Sequence, residues 1–201
     1  MTPEGELYLD ALRRKDFKLT SANVLRIGWM IFRALTTLHQ HGLVHHDIHY
    51  GNVLVKRDWA GDVVITLIDF GRSTPESSPN NRLHQVRFQT TLSYAMGNPY
   101  SRFDDLMAMG YLLGPSVGVH PFVSEEQTTV QTKEDFHADP TSYFPDDNTQ
   151  WIPALIKLFE RQREEGYNYS AISRVFHDAI PNIEPESFVE YKVTNGDLYI
   201  D

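Results

Sequence analysis

Three observations predict an α+β fold that is mainly α-helical. Apolar residues recur at helical spacing from Val24 to Leu38. Two short β-branched runs, Val53 to Lys56 and Val63 to Ile68, flank a turn containing Asp58 and Gly61. Helical patterns return at Asp104 to Leu113, Trp151 to Glu165 and Tyr169 to Ile180. A chain of 201 residues can bury a sizeable single core. Its 41% hydrophobic and 22% charged residues fit an ordinary globular protein.

Leu7 to Arg14 reads as a short amphipathic helix. Thr20 or Ser21 offers an N-cap for the long helix, in which Val24, Ile27, Ile31, Ala34, Leu35 and Leu38 share a face. Gly42 supplies its stop. After the two strands, Arg72 to Tyr100 is polar and rich in turn residues, and is expected to be a long, functional loop. Ser101 begins a helix whose apolar content predicts deep burial, with Met107 and Met109 in the core. Pro115 to Asn148 is turn-rich, with one short helix expected near Glu125 to Thr132. Gly166 separates the last two helices. Ile183 to Asp201 is expected to form a C-terminal hairpin turning at Asn195-Gly196.

Composition excludes several classes. The net charge of −9 argues against nonspecific nucleic-acid binding. No apolar run approaches the length of a membrane span. The acidic start, Met1-Thr2-Pro3-Glu4-Gly5-Glu6, is unlike a secretory signal, so an intracellular site, cytoplasmic or nuclear, is the expectation. There is no cysteine, which removes disulfides, thiolate metal sites and thiol nucleophiles. Charge is uneven: Ser77 to Phe103 lacks Asp and Glu but contains Arg82, Arg87 and Arg102. That stretch is either a polar loop or an anion-accepting groove.

The chemistry-bearing residues cluster after the long helix. Leu43-Val44 leads into His45-His46-Asp47, four residues follow, and then Asn52 precedes the first strand. Asp69-Phe70-Gly71 follows the second strand. A His-x-Asp-x-x-x-x-Asn, two strands and an Asp-Phe-Gly in this order match the catalytic loop and metal-binding triplet of the protein kinase superfamily. The chain therefore resembles the C-terminal lobe of a protein kinase over roughly Glu6 to Ile180. Thr91-Leu92-Ser93-Tyr94-Ala95, then Ser101-Arg102-Phe103-Asp104-Asp105-Leu106, look most like the casein kinase one and vaccinia-related kinase group.

The resemblance implies serine/threonine phosphoryl transfer from ATP with Mg²⁺. Asp47, as the proton-accepting carboxylate, and His49 would be the catalytic residues; Asn52 and Asp69 would be the metal ligands. His45 and Asp105 would support the loop. Arg82, Arg87 and Arg102 would meet an acidic or phosphorylated protein substrate, since guanidinium suits phosphate. It also implies one kinase-like domain over 1–201, C-lobe only, with 183–201 as an extension. The residues before Ser21 are too few for a five-stranded N-lobe, and no Gly-x-Gly-x-x-Gly or Val-Ala-x-Lys is present. A partner covering the missing N-lobe face is therefore expected, with neither nucleic acid nor membrane as partner.

His49 departs from the group, which carries a Lys there. Imidazole is shorter and mostly neutral, so it stabilises less phosphate charge. His-x-Gly-Asn at this place resembles aminoglycoside and choline phosphotransferases, one alternative. A non-catalytic, pseudokinase-type binding or scaffold module is the other. A zinc site built from His45, His46, Asp47 and His49 is set aside, because the kinase register already assigns His45 and Asp47.

Overall fold

The computed structural model describes residues 5–76, 78, 87–122 and 128–201. The chain opens with β1 (Glu6–Leu7) and α1 (Tyr8–Arg13), then enters the long helix α2 (Ser21–Gln40). Thr20 caps α2 by accepting the Asn23 N–H on its hydroxyl. The strands follow as β2 (Leu43–Val44), β3 (Val53–Arg57), β4 (Val63–Leu67) and β5 (Thr74–Pro75). Next come α3 (Leu92–Ala95), α4 (Arg102–Ser116), α5 (Val130–Ala138), α6 (Trp151–Glu165) and α7 (Tyr169–His177). A hairpin of β6 (Tyr191–Thr194) and β7 (Asp197–Ile200) ends the chain.

The expected mainly helical α+β architecture holds. α2 packs against α4, and α4 against α6. Val24, Ile27, Ile31 and Leu35 of α2 are fully buried, as their spacing predicts. Phe176 of α7 locks the helices together: its ring lies 5.4 Å from Trp29, 5.6 Å from Phe32 and 5.6 Å from Trp151. α4 is buried on nearly every face, and Met107 and Met109 are core residues. Ser101 and Asp104 form its capping box.

β3 and β4 pair antiparallel, with Val53 opposite Leu67. β1 adds to the outer side of β3, giving the order β1-β3-β4. This third strand is too short to carry a period of its own, and only the edge of β3 makes it a strand. β5 pairs with β2, so the stretch expected as a loop from Arg72 contains both a strand and the helix α3.

Two helices differ from expectation. The helix placed near Glu125 begins at Val130, where Thr129 and Thr132 form a capping box; residues 123–127 lie outside the described residues. α7 stops at His177 rather than Ile180. The C-terminal hairpin turns where predicted, with Asn195 and Gly196 both at positive φ, as a two-residue hairpin loop requires. Among the described residues, no helix is long and apolar enough to cross a membrane.

Candidate active site

The β3–β4 ladder sets the register of the site. Asn52 ends the short 3-10 turn Tyr50–Asn52 that feeds β3, and its carbonyl accepts the Ile68 N–H at 3.0 Å. Asp69 is the next residue, so Asn52 and Asp69 emerge at the same end of the ladder. Asn52 Nδ2 donates to the Asp47 carbonyl at 3.0 Å, closing the loop from 47 to 52. This leaves the Asn52 amide oxygen without a protein donor among the described residues. Asp69 holds a left-handed backbone at φ 60°, ψ 62°, uncommon outside glycine, and is exposed.

The segment leading into this loop hangs on one buried carboxylate. Asp105, near the start of α4, accepts the His45 N–H at 2.7 Å and the His46 N–H at 3.0 Å. The Tyr100 hydroxyl donates to it at 2.9 Å, and His39 Nε2 lies 3.0 Å away. Burial, then the neighbouring Asp105, pushes the Tyr100 hydroxyl well above its ordinary pKa, so it remains a donor. His46 sits at φ 70°, a strained value for a side chain of its size. Its ring stacks on Tyr100 at 3.9 Å and meets the Thr74 hydroxyl at 2.9 Å. His45 is fully buried; its Nε2 faces the Ile68 carbonyl at 3.0 Å, and its ring packs on Phe70 at 4.8 Å.

His49 is oriented from within its own turn. Its Nδ1 accepts the Gly51 N–H at 3.1 Å, which places the ring proton on Nε2. Nε2 stands 3.8 Å from Asp47 Oδ1. This neighbour, together with more distant Arg72, holds the Asp47 carboxyl below its usual range against partial burial. Gln89 Nε2 adds a long contact of 3.5 Å to the same oxygen.

Asp47, His49, Asn52 and Asp69 thus come to one end of the ladder, with His45 and Asp105 behind them. The arginines do not gather. Arg102 is engaged internally: its Nε lies 3.0 Å from both Glu76 oxygens, and its backbone N–H donates to Glu76 at 2.9 Å. Glu76 lies one residue before the acid-free stretch, so composition alone hid this partner. Arg87 is exposed within that stretch, and Arg82 lies outside the described residues. The four-residue zinc alternative does not assemble, because the rings of His45, His46 and His49 face three different partners.

Sequence reasoning missed three contributors. His39 reaches Asp105 from the last turn of α2, one helical turn from any motif residue. Gln89 reaches Asp47 from a loop with no fixed spacing. Asp104 accepts the Thr91 hydroxyl and the Arg163 guanidinium, at 3.0 and 3.1 Å from the latter, tying α3 and α6 to α4. The paired Asp104-Asp105 was the available signal, since adjacent buried acids each need donors.

A family model described as protein kinase domain matches residues 1–165. Among curated proteins, the chain is 29% identical over 119 residues to serine/threonine-protein kinase PLK4 of Nematostella vectensis, covering 57% of this chain and 12% of that protein. It is 27% identical over 155 residues to serine/threonine-protein kinase RUNKEL of Arabidopsis thaliana, covering 74% and 11%. Serine/threonine-protein kinase 1 of Lymantria dispar multicapsid nuclear polyhedrosis virus is 29% identical over 137 residues, covering 65% and 46%. The chain therefore spans less than half the length of each of these relatives.

Proposed function

This chain belongs to the protein kinase domain family, and from that premise we propose that it is the C-lobe of a serine/threonine protein kinase of the casein-kinase-one-like group. The observation that carries the reading is the Asp105 brace: it suspends His45 and His46 so that Asp47 stands beside the ladder end bearing Asn52 and Asp69. The Ser101-Arg102-Phe103-Asp104-Asp105-Leu106 motif supports the group assignment, because Ser101 and both acids have distinct structural partners.

The donor set suits Mg²⁺. Asn52 offers an amide oxygen and Asp69 a carboxylate, the hard oxygen ligands that this cation takes. When bound, the ion would neutralise phosphate charge. The chain's own residues do the rest. Asp47, kept ionised by His49, orients the acceptor hydroxyl and takes its proton as the hydroxyl oxygen bonds to the γ-phosphorus of ATP and the bond to ADP breaks. Asn52 holds the Asp47 carbonyl, fixing where that carboxylate stands. The acceptor is a protein hydroxyl, in an acidic or phosphorylated context if Arg82 and Arg87 contribute.

Calorimetric titration with Mg²⁺ and ATP tests this reading, with Asp69→Ala as the control. Binding that vanishes in the variant supports it, and phosphorylation of an acidic serine peptide is then measured. A folded sample that binds no Mg²⁺–ATP overturns the catalytic reading for this chain. A second reading, a non-catalytic binding module, is favoured by His49, whose ring nitrogens face the Gly51 N–H and the Asp47 carboxylate rather than an open phosphate site. Phe70, 48% exposed beside the site, supports a partner covering that face in either reading.

A further inference from the structure

Among the described residues, Lys133 of α5 is the one lysine that is buried. Its Nζ donates to the Phe88 carbonyl at 3.0 Å. The ammonium lies 3.8 Å from the centre of the Phe122 ring and 4.5 Å from that of Tyr111. It meets no carboxylate among the described residues. A buried ammonium whose hydrogen bond among the described residues goes to a carbonyl is penalised by desolvation, which a methionine of similar length would avoid. Packing alone therefore does not call for lysine here; the grip on the Phe88 carbonyl does.

That carbonyl belongs to a short hook reaching the catalytic loop. Arg87 and Thr90 close it: the Arg87 N–H donates to the Thr90 hydroxyl at 2.9 Å, and the Thr90 N–H to the Arg87 carbonyl at 3.0 Å. The Phe88 ring stacks on Tyr50 at 5.4 Å, 9° from parallel, and meets His49 edge-on at 6.4 Å. The next residue, Gln89, donates its side-chain amide to Asp47 at 3.5 Å.

We propose that Lys133 is a positioning residue for the catalytic loop: by holding the Phe88 carbonyl it sets the reach of Gln89 to Asp47 and seats Phe88 on Tyr50 and His49. Through it α5, a helix with no residue at the site, governs the surroundings of the catalytic carboxylate. The assignment of Asp47 rests on the function proposed above; the mechanical link does not.

The test is nuclear magnetic resonance of the Gln89 side-chain amide in the full chain, with hydrogen exchange at residues 87–91. Asp47→Asn defines the signature, since it changes the group that Gln89 contacts. Lys133→Met is expected to move the Gln89 amide signals and to speed exchange at 87–91 about tenfold, while Lys133→Arg, which keeps a donor, restores both. Gln89 signals and exchange that stay unchanged in a folded Lys133→Met protein overturn the proposal. So do Gln89 signals that ignore Asp47→Asn, a result that stands even if Lys133→Met does not fold. These readouts need no turnover, so a chain that transfers no phosphoryl group fails the functional reading and leaves this link intact.

Discussion

The carboxylate of Asp105 and the backbone N–H of His45 meet at 2.7 Å across 60 residues of chain. Both groups are buried, and the same carboxylate serves His46, Tyr100 and His39. Removing it leaves several buried donors unpaired at once. Asp105→Ala is expected to cost about 3 to 5 kcal/mol of stability, as for breaking a buried charged network. Urea denaturation measures it; a loss under about 1 kcal/mol would show that water replaces the carboxylate.

Gly51 packs against the His49 ring. A Cβ at residue 51 would stand 2.8 Å from His49 Cε1 and 3.0 Å from Nδ1, closer than real side chains approach. Gly51→Ala should therefore rotate the imidazole and break the bond that fixes its tautomer. Nitrogen-15 shifts of His49 report this directly. Unchanged shifts would mean that the loop yields instead of the ring.

Two buried bases make stability rise with pH. Burial lowers His137 to about 4, and its ring is used as neutral imidazole, with Nδ1 3.3 Å from Glu160 and Nε2 facing the Tyr111 hydroxyl. The unfolded chain takes up that proton near the ordinary histidine value of 6.5, so the contribution is complete above 6.5 and lost as pH falls towards 4. The full effect is about 3 kcal/mol.

Burial likewise lowers Lys133 to about 7. The unfolded chain then binds more protons between about 7 and 10.5, and stability climbs across that window. Chemical denaturation as a function of pH should show both slopes. Lys133→Met should flatten the alkaline one, and His137→Leu the acid one.

Asn23 fastens the C-terminal hairpin to α2. Its Nδ2 donates to the Glu190 carbonyl at 2.9 Å and the Asp201 carbonyl at 2.7 Å, and its Oδ1 accepts the Glu190 N–H at 2.9 Å. Asn23→Ala should destabilise by about 2 kcal/mol, since it orphans backbone groups on both sides of the hairpin. Hydrogen exchange over residues 189–201 should rise well above that of α2. Equal exchange in both would show that the apolar contacts of Val189, Leu198 and Ile200 hold the hairpin unaided.

The long helix, the two strands and α6 were legible because each buries one face, and a buried face imposes a period on the sequence. The Asn195-Gly196 turn was legible because few residues tolerate positive φ. α5 was misplaced because Val130 to Ala138 has a weak apolar stripe, and its start is set by the Thr129 cap. β1 and β5 were missed because two-residue strands exist only through the neighbour that pairs them.

For the candidate site, sequence alone determined the set and order of the proposed residues: His45, Asp47 and Asn52 lie within one short loop, and Asp69 follows at the end of the second strand, so one short ladder dictates their spacing. Tertiary structure alone decided who supports them. Whether Arg102 faces an anion or Glu76, and whether Lys133, Gln89 and His39 reach the loop, depends on contacts between segments far apart in sequence. Such contacts follow from which distant segments meet, and the choice of partner, unlike the burial of a face, leaves no periodic trace in the sequence.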